Sequence, residues 1–371
     1  MKYFFVLLIS IGVLYTSCFS QDFADDFCLC EKHPIASGVL NEERLLFIYL
    51  PNDYAKDTTN SFPVVYVSDA PATSNLYFDI LRLHGLMNYV PQSIVVGLSS
   101  DDRNHHLNPE KGADKYLKFI KDEVIPFVDK TYRTESLKIL AGHSLGGDFV
   151  IYSLLKDPDL FRAYITGSPG PIEPISKLIV NTEPLVTNQN YTFFYSSVGS
   201  NDFTDTISFR NLERQLKRKT MEEIDFYFHI NQGEHHISNI AINFQNGIRQ
   251  LFHDWQFQLP DTLDNQASEM LKAHYDHLEN KLGYRPAIGE WEVIYPAMDK
   301  LARRGDFKNT IDILKYCIQL YPTSDQAHAF LAKAYFDTGN MELGKQYLNK
   351  SLELNPQNQF ALQIKKMLEK Q

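Results

Sequence analysis

The run Gly142-His143-Ser144-Leu145-Gly146-Gly147 sets one serine between glycines in the pattern G-x-S-x-G. Such a run can present a nucleophile, because the flanking glycines permit a tight turn on which the hydroxyl stands clear of the backbone. A serine hydroxyl attacks an ester only when a base takes its proton, and the base in turn needs a carboxylate to orient it. Both types follow downstream. Gly199-Ser200-Asn201-Asp202-Phe203 offers Asp202 as the acid, with Asp205 as the fallback, and Gly233-Glu234-His235-His236 offers two histidines in one loop. Serine, acid and histidine in that chain order, each following a strand-like run, point to acyl transfer through a covalent intermediate. Asp101, Asp102, His105 and His106 also have ligating side chains, but no second cluster with ligand spacing accompanies them. No metal and no cofactor is expected.

The elements that must position these residues are legible as short runs rich in Val, Ile, Tyr and Phe. They are Leu45 to Leu50, Val64 to Val67, Ile94 to Leu98, Leu137 to Ala141, Ala163 to Thr166, Tyr191 to Val198 and Ile224 to Ile230. Amphipathic helices separate them, the clearest from Gly112 to Tyr132, where Ala113, Tyr116, Leu117, Ile120, Val124, Phe127 and Val128 share one stripe. Strands alternating with helices predict an α/β fold with a mostly parallel sheet covered on both faces. In such sheets chemistry collects at the carboxyl ends of the strands, which is where the serine, Asp202, the histidine pair and Arg103 all fall.

The chain has 371 residues, a formal charge of −10 and 44% hydrophobic residues. That composition excludes a disordered chain, and the acidic balance argues against nucleic acid as a partner. The length implies about two domains. Residues 1–20 read as an export signal: Lys2, then the apolar stretch Tyr3 to Tyr15, then small residues before a cut at Gln21. Leu14-Tyr15-Thr16-Ser17-Cys18 offers a second route, a lipoprotein anchored through Cys18. An exported chain meets an oxidising compartment, but Cys28 and Cys30, two apart in an extended segment, point to opposite faces and make an unstrained bridge doubtful.

The last third repeats with a period of 34 residues: Gly305 and Gly339, Leu314 and Leu348, Leu320 and Leu354, Pro322 and Pro356. This is the tetratricopeptide length, one helix pair per repeat. The partition expected is residues 1–20 as signal, 25–258 as the α/β domain, and 263–371 as an all-α extension with repeats at 291–324 and 325–358 and a capping helix. The extension offers a peptide-binding groove, or else a lid or a homodimer contact.

Residues 35–258 resemble the Putative esterase (esterase D) family of the α/β-hydrolase fold, and within it the siderophore-ester hydrolases of the enterobactin esterase type. The resemblance runs through Val39 to Arg44, Phe62 to Asp69, Val95-Val96-Gly97 with Arg103, Ile125 to Thr134, and Ala141 to Gly147. It implies a serine carboxylester hydrolase acting on siderophore or acylated-carbohydrate esters. The family's Gly-Glu-Asp-His type run selects His236 over His235 as the base, and its acid, just after a glycine, fits Asp202. It places one oxyanion donor at the N–H of Leu145 and the other just after Asp69. Ala70-Pro71 stands there in place of the usual glycine, so Ala70 donates or the hole is built differently. Arg103 and His143 become substrate-binding candidates, Arg103 with a structural ion pair as the alternative. Acyl transfer to an acceptor alcohol, as in the similar mycolyl transferases, and a non-catalytic scaffold bearing an interaction module are the competing functions.

Overall fold

Eight strands pair into one sheet, one for each of the seven apolar runs and a further strand ahead of them. The computed structural model describes residues 30–369 apart from 57, 171, 190, 220–223, 261, 262, 264 and 265. The export-signal reading of residues 1–20, the lipoprotein alternative at Cys18 and the cysteine Cys28 lie outside the described residues. Cys30 is disulfide-bonded.

The chain divides into two compact units, Met1–His253 and Asp254–Gln371. In the first, β1 (Glu31–Ser37), β2 (Glu42–Tyr49) and β3 (Phe62–Ser68) precede α1 (Ala72–Leu86), β4 (Ile94–Leu98) and the single turn α2 (Arg103–His106). Next, α3 (Ala113–Phe119) runs through a widened π turn (Ile120–Val124) into α4 (Ile125–Thr131), followed by β5 (Thr134–His143), α5 (Leu145–Lys156) and β6 (Ala163–Gly167). The unit ends with α6 (Ile172–Asn181), β7 (Thr192–Gly199), α7 (Thr206–Arg218), β8 (Ile224–Asn231) and α8 (Asn239–Leu251).

The sheet order is β1-β2-β4-β3-β5-β6-β7-β8. All pairs from β4 to β8 are parallel; β1 with β2 and β2 with β4 are antiparallel. The central strands are inaccessible on both faces: Val64, Val65, Tyr66, Val67, Ile139, Leu140, Ala141 and Ile165 all have 0% exposure. This explains why they read as continuous apolar runs rather than alternating ones. Each such Val, Leu or Ile side chain contributes roughly 1.5–3 kcal/mol by burial. The helix expected from 112 to 132 forms, with a defect in it: the Ile125 N–H reaches back five residues to the Ile120 carbonyl. The widened turn makes room for Pro126, which has no N–H and whose ring would strike the carbonyl four residues earlier.

The second unit is helical throughout: α9 (Ala267–Leu282), α10 (Glu290–Pro296) extended by irregular turns to Arg304, α11 (Phe307–Leu320), α12 (Asp325–Asp337), α13 (Met341–Leu354) and α14 (Gln359–Leu368). The 34-residue repeat has a backbone cause. Gly305 and Gly339 have φ of 76° and 79°, the left-handed region in which a side chain is costly. The next residues, Asp306 and Asn340, cap α11 and α13 by accepting the N–H of Asn309 and Leu343. Among the described residues, no helix is long and apolar enough to cross a membrane.

Candidate active site

Ser144 occupies the turn between β5 and α5 with φ 57° and ψ −126°. A non-glycine residue at positive φ costs on the order of 1–3 kcal/mol and persists only where its surroundings enforce it. Here the Ser144 N–H donates to the Gly167 carbonyl at 2.8 Å and its carbonyl accepts from the Asp148 N–H at 3.0 Å. The turn lies so close to β3 that a Cβ on Gly146 would sit 2.2 Å from Ser68 Oγ, which excludes any side chain there. Leu145 opens α5, so its N–H is one of the leading helix amides without an intrahelical acceptor. Ala70, the expected second oxyanion donor, does not fill that place: its N–H is engaged by the Leu98 carbonyl at 3.3 Å, at the end of β4.

The candidate acid and base meet. His236 Nδ1 lies 2.9 Å from Asp202 Oδ1, and the Asp202 side chain is fully buried. Burial pushes the Asp202 carboxyl up. The Ser168 hydroxyl, the Thr204 N–H and His236 outweigh it and hold the group below the usual aspartate range. Asp205 is placed elsewhere, capping α7 through the Ser208 N–H. His235 turns to the Asn201 carbonyl at 3.2 Å. Ser144 Oγ and His236 Nε2 form no hydrogen bond among the described residues; such a link is commonly long until substrate binds.

The His236 ring is held between two others. Phe203 covers it with ring centroids 4.0 Å apart, and His143 faces it at 4.7 Å. His143 is only 6% exposed, so it packs behind the base rather than reaching a substrate, which corrects its expected role. Burial and the neighbouring His236 bring its pKa down to about 4, keeping it neutral. Phe203 is 71% exposed, and Ile207 and Ile237 are equally open, so the loops carrying the candidate acid and base, together with the start of α7, present three large apolar side chains to solvent.

Arg103 takes the ion-pair alternative: its Nε and Nη2 donate to both oxygens of Asp69 at 2.7 and 3.0 Å. The pair is part exposed, which leaves the guanidinium edge at the rim. Asp102 caps α2 through the His105 N–H, and buried His106 lies against Arg44 and Tyr116. Among the described residues no group of His, Cys, Asp or Glu could hold a metal ion.

Asp148, on the first turn of α5, is 3% exposed and accepts the Gly170 N–H at 2.8 Å. Burial pushes its carboxyl up to about 7, against the pull of that N–H and of Arg103. The folded state therefore holds this proton better than the unfolded chain. The stabilisation is fully present below about pH 4, where the unfolded carboxyl titrates, and is lost as pH rises through about 7. Asp148→Asn is expected to remove that part of the pH dependence: its Tm should fall less than that of the wild type between pH 4 and pH 7. Thermal melts of both proteins across that range check it, and parallel curves would refute it.

A sequence model of the family described as "Putative esterase" matches residues 37–266. The chain belongs to the Putative esterase family. A tetratricopeptide repeat model matches residues 301–365, within the second unit. Among curated relatives, this esterase-family chain is 27% identical over 159 residues to ferri-bacillibactin esterase BesA of Bacillus subtilis, covering 35% of this chain and 55% of that protein. It thus spans about half the length of that relative. Among solved structures, an uncharacterised protein from Capnocytophaga ochracea superposes with a TM-score of 0.71 over 87% of this chain and 93% of that one, at 16% identity. An IroE-like serine hydrolase from Shewanella oneidensis gives 0.63 over 78% and 98%, at 20% identity. At these identities the two structures establish the fold of this esterase-family member.

Proposed function

We propose that the chain is a serine carboxylester hydrolase in which Ser144 is the nucleophile, His236 the base and Asp202 the acid. The observation that carries the reading is the 2.9 Å contact of His236 with a buried Asp202, at the same end of the sheet as a serine on a strained strand-to-helix turn. In the mechanism, His236 Nε2 takes the hydroxyl proton as Ser144 Oγ attacks the ester carbonyl carbon. The Leu145 N–H stabilises the oxyanion, aided by the N-terminus of α5. His236 then delivers that proton to the departing alcohol. Water, deprotonated by the same imidazole, attacks the acyl carbon, and the imidazolium returns that proton to Ser144 Oγ as the acid is released. Asp202 fixes the imidazole tautomer throughout. Labelling with a fluorophosphonate and locating the adduct by mass spectrometry tests this: modification of Ser144 supports it, and an unlabelled Ser144 in active protein refutes it.

Siderophore esters are the proposed substrates, on the analogy of the relative named above, with acylated-carbohydrate esters as the alternative, and export is the proposed localisation. The exposed trio Phe203, Ile207 and Ile237 suits an ester with a sizeable planar or apolar portion, which would bury area that an acetyl group lacks. Phe203→Ala is therefore expected to raise KM for an aryl-acyl ester about tenfold, one lost ring contact being worth roughly 0.5–1.5 kcal/mol beyond its area. KM for an acetyl ester should stay within about twofold. Steady-state kinetics on the two esters decide, and equal changes in KM would remove the substrate-contact role.

A further inference from the structure

The oxygen of Asp202 that faces away from His236 is held by Ser168, which is in turn held by a chain of groups from two further elements. Ser168, directly after β6, donates its hydroxyl to Asp202 Oδ2 at 2.6 Å. Asn239, the first residue of α8, donates Nδ2 to Ser168 Oγ at 2.9 Å. Asn231, the last residue of β8, donates Nδ2 to Asn239 Oδ1 at 2.7 Å. Ser168 and Asn239 are both 0% exposed.

These bonds run in one direction. Because Asn231 gives a proton to Asn239 Oδ1, the amide of Asn239 is fixed with its nitrogen toward Ser168. Because Ser168 Oγ accepts there, its one proton is left for Asp202. Oδ2 is thereby occupied, and Oδ1 remains for His236 Nδ1 at 2.9 Å and the Thr204 N–H at 3.2 Å. A carboxylate whose two oxygens have separate partners cannot rotate, so the imidazole it orients is fixed as well. Ser168 also has φ 43°, in the left-handed region. Its N–H donates to the Ser197 carbonyl at 2.7 Å, and this anchorage keeps the hydroxyl on the carboxylate. Backbone held in such a region points to a constraint imposed by function.

We propose that Ser168 and Asn239 are positioning residues for the Asp202–His236 pair, forming a one-way chain of hydrogen bonds that locks the acid and sets how much of its charge the imidazole feels. The proposal rests on the reading of Asp202 as the acid. It also assigns Ser168 no contact with substrate.

Ser168→Gly is the decisive variant, since glycine adopts this backbone freely and only the hydroxyl is lost. The variant is expected to keep its Tm within a few degrees. Losing a hydrogen bond to a charged group should lower kcat by about 10- to 100-fold, with KM for a p-nitrophenyl ester little changed. The acid limb of its kcat/KM profile is expected to move to higher pH, because a carboxylate without the Ser168 proton favours protonated imidazole more strongly. The other titratable groups around the pair, His143 on β5, Glu234 and His235 on the turn after β8, Asp205 at α7 and Arg103 on α2, are the same in both proteins. Asn239→Ala should lower kcat alone but add nothing in the Ser168→Gly background, since it acts through Ser168. A folded Ser168→Gly protein with wild-type kcat and an unmoved acid limb would overturn the proposal; an undiminished Asn239→Ala effect in that background would overturn the role of Asn239. Asp202→Asn separates the two levels: if it too retains full activity, the triad reading itself fails.

Discussion

Ser144→Ala is expected to lower kcat for ester hydrolysis by on the order of 10^5-fold or more while leaving the protein folded. The size follows from what the hydroxyl does. On the proposed mechanism no acyl-enzyme forms without it, and His236 has no proton to take at the reacting centre. What remains is binding and the oxyanion donors, worth about 10^3- to 10^4-fold over water in enzymes of this kind. The fold should survive because Ser144 is tied down through its backbone, by the Gly167 carbonyl and the Asp148 N–H, and alanine keeps both bonds. The measurement is p-nitrophenyl ester hydrolysis beside a thermal melt. Activity within tenfold of wild type in a folded variant would exclude Ser144 as the nucleophile.

The second large effect distinguishes two aspartates three residues apart. Asp202→Asn is expected to cost about 10^4-fold in kcat at neutral pH, because an amide offers its NH2 group to the imidazole and selects the wrong tautomer. Asp205→Asn should leave kcat within about twofold, since Asp205 lies in solvent and its carboxylate serves only the α7 cap. Comparable losses in both variants would mean that the loop, rather than one carboxylate, matters.

The parallel strands, the nucleophile turn and the candidate acid and base could be read from the chain because each leaves a local signal. Buried parallel strands are continuous apolar runs, and G-x-S-x-G is a contiguous consequence of backbone crowding. β1 left no such signal: Glu31–Ser37 includes Pro34 and is largely exposed, as an edge strand tolerates. Nothing local to Ala70 shows that its N–H is engaged, because the accepting Leu98 carbonyl lies at the end of β4, more than twenty residues away. Ser168 and Asn239 carry no motif at all. Ser168 follows a glycine at a strand end, as many loop serines do, and its partners are 34 and 71 residues distant. Only the sheet brings them together.

β7 and β8 pair residue for residue from Thr192 opposite Ile224 to Gly199 opposite Asn231. Because alternate residues of a strand face opposite sides, a single inserted or deleted residue in either would reverse every side chain beyond it. The proposed acid and base hang from the ends of these two strands, so the length of residues 192–199 and 224–231 is effectively frozen. The segments beyond them, two loops and the start of α7 bearing Phe203, Ile207 and Ile237, have no such register to keep. Divergence of this chain toward new esters therefore has its freest route in exchanges of those side chains, with the spacing of the strands inherited unchanged.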